Sequence, residues 1–296
     1  MIKWLCLFFS YILIVSSHSW LGLWLSIEIN SLSFIPIIIE ERKQNRLKYF
    51  LIQSVASVIF LASILNQSFS FLIPFALLIK IGAAPFHIWL VSISKSISWK
   101  VLSLLITFQK IGPLLGLAIL QFTNSFFIFI RAFIGGLGGI NQSNLRLIIA
   151  FSSVRHLSWL IVNISRFFLI LVYYVTYLAI LYFAVILLQQ RGMYSLAQMN
   201  SNARLIYKAS ISFNLLSLAG LPPFLGFFIK WISLEINILS PLLVLALVVS
   251  SCFSVYFYFK IAMRSLLFPS EVKSKKIEIP GILSIGFNIF LPLFFL

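Results

Sequence analysis

Aspartate is absent from this sequence, and the acids amount to six glutamates. Cysteine occurs twice, at Cys6 and Cys252. Two isolated thiols give neither a disulfide framework nor a CxxC pair, and both read as apolar helix residues. Charged residues make up 9% of the chain, where a soluble domain carries about a quarter. There is no metal-ligand cluster, haem-attachment motif or hydrolytic triad signature. What remains is apolar: 61% of the 296 residues are hydrophobic and the mean hydropathy is +1.08. The chain reads as a polytopic membrane protein, with no soluble domain and no long linker.

The net charge is +16. In a soluble protein that would suggest nucleic acid, but here topology explains it. Eleven apolar segments stand out: 2–17, 20–40, 48–66, 69–91, 99–120, 125–141, 145–165, 167–189, 209–236, 240–262 and 279–296. The first, with Lys3 before an apolar run from Trp4 to Val15, has the look of a signal peptide. It is read as a first spanning helix, because many equally apolar segments follow. With this count, sixteen basic residues fall on the N-terminal side of the membrane, one (Arg166) on the opposite side, and five inside segments. That asymmetry is what the positive-inside rule demands, and one missed span would scramble it. The N-terminus is therefore expected on the cytoplasm-equivalent side and the C-terminus opposite.

Charge within the segments is the next signal. Glu28 lies in the second, Lys80 in the fourth, Lys110 in the fifth and Lys230 near the end of the ninth. Each costs roughly 2.5–3.5 kcal/mol at a helix centre on insertion scales. The neighbours three and four residues from Lys80 are Leu77, Ala76, Ala83 and Ala84; those of Lys110 are Thr107, Ile106, Pro113 and Leu114. Neither lysine has an acid on its own helix. Glu28 is the one acid clearly at membrane depth, so Glu28, Lys80 and Lys110 are expected to share a polar cluster. Burial and a nearby carboxylate act oppositely on a lysine, and a group held between them can take up and release a proton. The plainer alternative is that these charges only hold helices together.

Helix breakers accompany them. Gly82 and Pro85 follow Lys80, Pro113 follows Lys110, and Pro222 and Pro223 precede Lys230. A proline removes one helical hydrogen bond, here expected to free the carbonyls of Ile81 and Gln109. Broken backbone at membrane depth is tolerated where it is buried in protein or lines water. Segments 1–5 and 6–10 each place a broken segment fourth, the layout of an inverted repeat. The expected fold is therefore all-α and polytopic, with about eleven transmembrane helices. Its parts are a first five-helix repeat over 1–122, a second over 123–263, and a loop with a C-terminal transmembrane helix over 264–296. His87 and His156 are further relay candidates, because histidine titrates near neutral pH. Arg131 and Arg155 cannot relay by deprotonation and are expected to snorkel or pair. The glycines of FIGGLGGINQ follow no strand, and they suit close helix packing better than phosphate binding.

At this point the motifs become familiar. SWLGLWLSIEINSLSFIP, LKYFLIQSVAS, LLIKIGAAPFHIWL, TFQKIGPL, GGLGGINQSNLRLIIAFSSVRHLSW and LSLAGLPPFLGFFIKW, between about Ser19 and Tyr258, occur in one order. In that order the chain resembles subunit 2 of mitochondrial NADH dehydrogenase, the counterpart of bacterial chain N and an antiporter-like membrane subunit of respiratory complex I. It is most similar to the short animal forms, arthropod ones especially, which keep eleven of the bacterial fourteen helices. The resemblance implies roles by position. Glu28 matches the glutamate that pairs with the lysine of the first broken helix, and Lys80 matches that lysine. Lys110 matches the lysine joining two half-channels, and Lys230 the lysine of the second broken helix. It also implies a place in the mitochondrial inner membrane, with the N-terminus facing the matrix and the C-terminus the intermembrane space. The implied partners are other membrane-arm subunits and lipids of the inner membrane, not nucleic acid. No cofactor is expected on this chain; FMN, iron–sulfur clusters, NADH and ubiquinone belong elsewhere in the complex. The sequence departs from the family at Arg155, where a neutral residue is usual, and at Ser158, where glycine is usual.

Three functions are compatible with these features. One is a proton-translocating subunit of NADH:ubiquinone oxidoreductase, coupled to quinone reduction in other subunits. The second is a stand-alone cation/proton antiporter, and the third a purely structural membrane subunit.

Overall fold

The computed structural model describes residues 2–38, 41, 43–200, 205–238, 240–267 and 279–290. The ends of the second and eleventh segments lie outside these residues, as do Arg42, Arg204, Lys273, Lys275 and Lys276. Every regular element among them is helical, and one isolated bridge joins Asn144 to Ser195. This follows from the solvent: hydrocarbon offers no partner to a backbone N–H or C=O, so each segment must satisfy its own.

The chain forms two compact units, Met1–Asn124 and Ser125–Leu296. The first holds α1 (Ile2–Ser16), α2 (Trp20–Ile38), α3 (Lys43–Leu65), α4 (Ile73–Ile81), α5 (Ile88–Ser94), α6 (Trp99–Ile106) and α7 (Ile111–Ile119). The second holds α8 (Ser125–Leu137), α9 (Leu145–Val162), α10 (Phe167–Gln190), α11 (Leu205–Ala219), α12 (Leu225–Ile236), α13 (Pro241–Leu267) and α14 (Ile279–Phe290). Among the described residues, six helical runs are long and apolar enough to cross a membrane: Trp20–Ile38, Lys43–Leu65, Trp99–Ile119, Leu145–Val162, Phe167–Gln190 and Pro241–Leu266. The fourth and ninth sequence segments are each split in two, as α4 with α5 and α11 with α12.

The breaks differ in detail from the sequence expectation. In the fourth segment the helix stops at Gly82 (φ 70°), before Pro85 is reached. Gly82 N–H donates to the carbonyls of Ile79 and Leu78, and Ala83 N–H to that of Leu78. In the ninth, Gly220 (φ 85°) ends α11 in the same way, its N–H donating to Leu216 and Ser217. A glycine in the left-handed region closes a helix without the cost a side chain would bring. Pro113 is no break at all. It is the third residue of α7, in the first turn, where its missing N–H has no intrahelical acceptor to lose. The interruption in that segment is the 3-10 turn Phe108–Lys110 just before it. Lys208 is buried on α11, and Arg264 lies in the last turn of α13.

Packing is tightest in the second unit. Every residue of α9 except Arg146 is buried, and α8, α10 and α13 pack around it. A helix buried on every side by others is the interior element of a bundle, and its polar residues Arg155 and His156 are buried with it. Gly135 allows α8 to approach: a Cβ there would lie 2.5 Å from the backbone nitrogen of Arg155. Serines throughout, including Ser26, Ser57 and Ser152, donate to the carbonyl three residues back, which satisfies the hydroxyl inside its own helix.

Candidate functional site

The first unit gathers its charge at the broken segment. Lys80, in the last turn of α4, is 4% exposed, and its Nζ donates to Glu28 Oε2 on α2 at 2.9 Å. The Glu28 side chain keeps 22% of its surface and that of Lys80 1%. A desolvated ion pair is held only where geometry and further hydrogen bonds compensate for lost water. The backbone beside the pair is held as well. Gln53 Nε2 on α3 donates to the Lys80 carbonyl at 3.2 Å, and Trp89 Nε1 on α5 donates at 3.1 Å to the Ile79 carbonyl, which also accepts from Gly82.

On another side Lys80 borders a cavity of about 10 Å³, room for roughly one water. Asn30, Tyr49, Gln53, Gln109 and Lys110 border it too. Tyr49 Oη donates to Gln109 Oε1 at 3.1 Å. Lys110, 2% exposed, ends the 3-10 turn that precedes α7. Lys80 therefore touches Glu28 and also shares a polar cavity with Lys110, whereas Glu28 is not part of the cavity wall. His87 stands apart. It is half-buried at the start of α5, and its Nδ1 lies 3.2 Å from the Pro85 carbonyl, so it holds the connecting loop and does not border the Lys80 cavity.

The second unit solves the same problem without a carboxylate. Lys230 on α12 is 6% exposed, and its Nζ folds back to donate to the carbonyls of Leu218, at 3.3 Å, and Ala219. These are the last two residues of α11. The open carbonyls of a helix C-terminus carry about half a negative charge, so the half-helix itself acts as the counter-charge. The Lys230 Nζ also lies 5.9 Å from the centre of the Trp159 ring. Arg155 on α9 does not snorkel; it is fully buried. Its Nη2 donates to the same Leu218 carbonyl at 3.2 Å and lies 3.1 Å from His156 Nε2. A guanidinium only donates, so Nε2 of His156 accepts and its Nδ1 carries the hydrogen. That N–H donates to Tyr173 Oη at 2.9 Å. A line Tyr173–His156–Arg155–Leu218–Lys230 results, with a second cavity of about 10 Å³ against His156, Tyr173, Thr176 and Ser217. Arg131 is also fully buried, 5.8 Å from the centre of the Phe127 ring.

The sequence marked the ions but not their neutral neighbours. Asn30, Tyr49, Gln53, Gln109, Trp159 and Tyr173 line or complete the sites. Isolated amides and phenols are common in membrane helices, and only helix packing within each unit brings them to its site.

Comparison with known proteins decides the family. The family described as NADH:quinone oxidoreductase/Mrp antiporter, transmembrane, matches residues 63–254. NADH-ubiquinone oxidoreductase chain 2 of Artemia franciscana is 91% identical, over 100% of both chains. The chain belongs to the NADH-ubiquinone oxidoreductase chain 2 family. The chain 2 of Anopheles gambiae is 36% identical, over 86% of this chain and 82% of its own. A chain of respiratory complex I from Thermus thermophilus shares the fold with a TM-score of 0.84 at 18% identity, over 98% of this chain and 76% of that one. Against this chain 2 background, the Glu28–Lys80 pair and the Lys230 carbonyl cap are places where basic side chains meet broken helices.

Proposed function

We propose that this chain is a proton-translocating membrane-arm subunit of NADH:ubiquinone oxidoreductase, and that it moves protons through buried lysines. Glu28, Lys80 and Lys110 act in the first unit and Lys230 in the second. The observation that carries this is Lys80. Its ammonium meets a carboxylate, and the same residue borders a polar cavity shared with a second buried lysine. A proton on Lys80 is thus held by Glu28 until a water in the cavity accepts it and offers it to Lys110. Tyr49, Gln53 and Gln109 orient such a water by donating to it or accepting from it. His156 and Arg155 shape the Lys230 end, and His87 serves the loop.

The chain crosses the mitochondrial inner membrane eleven times in this reading, in two five-helix halves of opposite sense and a terminal span. The N-terminus faces the matrix, as the distribution of basic residues supports. The redox chemistry, with FMN, iron–sulfur clusters and ubiquinone, is placed on other subunits. The partners are other membrane-arm subunits and the lipids around them. The many exposed apolar side chains, such as Phe8, Phe168 and Leu242, suit both neighbours.

The test is Lys80→Ala in the assembled complex, reconstituted in vesicles. Proton uptake per NADH oxidised is expected to fall while NADH oxidation in uncoupled vesicles persists. A fully assembled variant that pumps at the wild-type ratio would refute the reading.

A further inference from the structure

We propose that Glu235 is a further proton-transfer residue, which receives the proton leaving Lys230 and passes it to water at the end of α12. The inference rests on the reading of Lys230 as a relay group and supplies its outlet. Lys230 borders a cavity of about 470 Å³, far larger than either of the small ones. Glu235 borders the same cavity, five residues further along α12, about 7.5 Å at a rise of 1.5 Å per residue. Its side chain is exposed, unlike that of Lys230. Trp231 Nε1 donates to Glu235 Oε1 at 2.5 Å and itself borders the cavity, so the indole holds the carboxylate at the cavity edge. The other oxygen is left to accept.

Much of the cavity wall is apolar, and an apolar wall alone stays dry. Three residues with polar side chains border it and change this: Lys230, Glu235 and Ser251. A water needs about two to four polar partners to be held. Toward the interior, by contrast, Lys230 meets a carbonyl shared with Arg155, a group that only donates. The outlet therefore lies on the cavity side.

The far end of α12 is also the wet end. Asn163 Nδ2 donates to Ser233 Oγ at 2.9 Å, and Asn237 Nδ2 to Asn163 Oδ1 at 2.9 Å, tying it to the end of α9. Arg166, the lone basic residue assigned to the opposite side of the membrane, follows three residues after Asn163 and is exposed. In the step itself an N–H bond of the Lys230 ammonium breaks and its proton passes through cavity water. An O–H bond forms on Glu235, which then releases the proton to bulk water. No electron moves.

The experiment compares Glu235→Gln, Lys230→Ala and Val248→Trp in the assembled complex in vesicles, reading proton uptake against uncoupled NADH oxidation. Val248 borders the cavity and is 39% exposed, so a tryptophan there fills the path without disturbing the core. Glu235→Gln and Val248→Trp are each expected to lower proton uptake about tenfold with oxidation unchanged. This is less than the ~10²–10⁴-fold typical of a positioned acid or base, because water at the mouth partly substitutes. Glu235→Asp is expected to restore most of it. Lys230→Ala pumping normally overturns the relay reading itself. Lys230→Ala pumping poorly while Glu235→Gln pumps normally overturns the outlet and leaves that reading in place. Should Glu235→Gln fail to assemble, Val248→Trp decides alone, and normal pumping with the cavity filled overturns the proposal.

Discussion

A single ion pair distinguishes a relay from a structural clamp. Replacing Glu28 by glutamine leaves the Lys80 ammonium buried beside a neutral amide. Removing one partner of a buried pair costs about 3–5 kcal/mol, and the residual exposure of Glu28 puts this case at the low end. Glu28→Gln is therefore expected to lower both the melting temperature of the complex and its proton uptake. The double variant Glu28→Gln/Lys80→Met separates the two roles. An apolar replacement of both ions is often neutral for stability, so melting should recover while pumping stays lost. Recovery of both would identify the pair as a clamp only. Tyr49→Phe makes a subtler case. It deletes the hydrogen bond to Gln109, worth about 1 kcal/mol. Because Tyr49 borders the cavity between Lys80 and Lys110, a several-fold slower proton uptake is expected, with assembly unchanged on a native gel. At this scale the charged half of the site was legible and the neutral half was not. In a chain with so few acids, Glu28 in a greasy run stands out at once. Tyr49, Gln53 and Gln109 carry no such signal, since α3, which holds the first two, must pack against the turn that holds Gln109 before they meet. Glu235 lies five residues from Lys230, off the three- and four-residue spacing of helix neighbours, so a shared cavity is what relates them.

Helix ends, more than prolines, set the two broken elements. The prolines made the breaks legible, but not where they fall. A proline disfavours helix in the turn before it, whereas Gly82 and Gly220 fix the last turn by adopting a conformation that side chains resist. Alanine at either position costs about 1–2 kcal/mol in backbone strain. The consequences then diverge. At Gly82 the new Cβ would meet Leu90 Cδ1 at 2.8 Å, the flexible end of an apolar side chain. At Gly220 it would meet Lys230 Nζ at 2.5 Å, the relay group itself. The two variants are expected to lose similar stability in thermal melts, while Gly220→Ala loses far more proton uptake than Gly82→Ala. Equal losses would show that Lys230 does not need its place on the α11 carbonyls. Pro113 gives the complementary lesson. Sequence alone makes it a kink, yet in the first turn of α7 it is harmless, and the interruption comes from the 3-10 turn that seats Lys110.

For the molecule as a whole, orientation follows from very few charges, and so can be tested at very few positions. The proposed topology puts Lys48, Lys100 and Arg191 on the basic side and Arg166 on the other, and all four are exposed. Each can carry a cysteine in a background where Cys6 and Cys252 are alanine. A membrane-impermeant thiol reagent applied to mitochondria with a permeable outer membrane should label Arg166→Cys directly. It should label Lys48→Cys, Lys100→Cys and Arg191→Cys only after the inner membrane is opened. The discriminating power comes from alternation: every added or missing span reverses the side of everything after it. A result that matched at Lys48 and Lys100 but reversed at Arg166 would place the miscount between residues 100 and 166. It would also move Glu235 to the side from which protons are drawn, and the Lys230 cavity would then be an entrance, not an outlet. The side of Arg166 therefore fixes the direction of proton flow through the second unit.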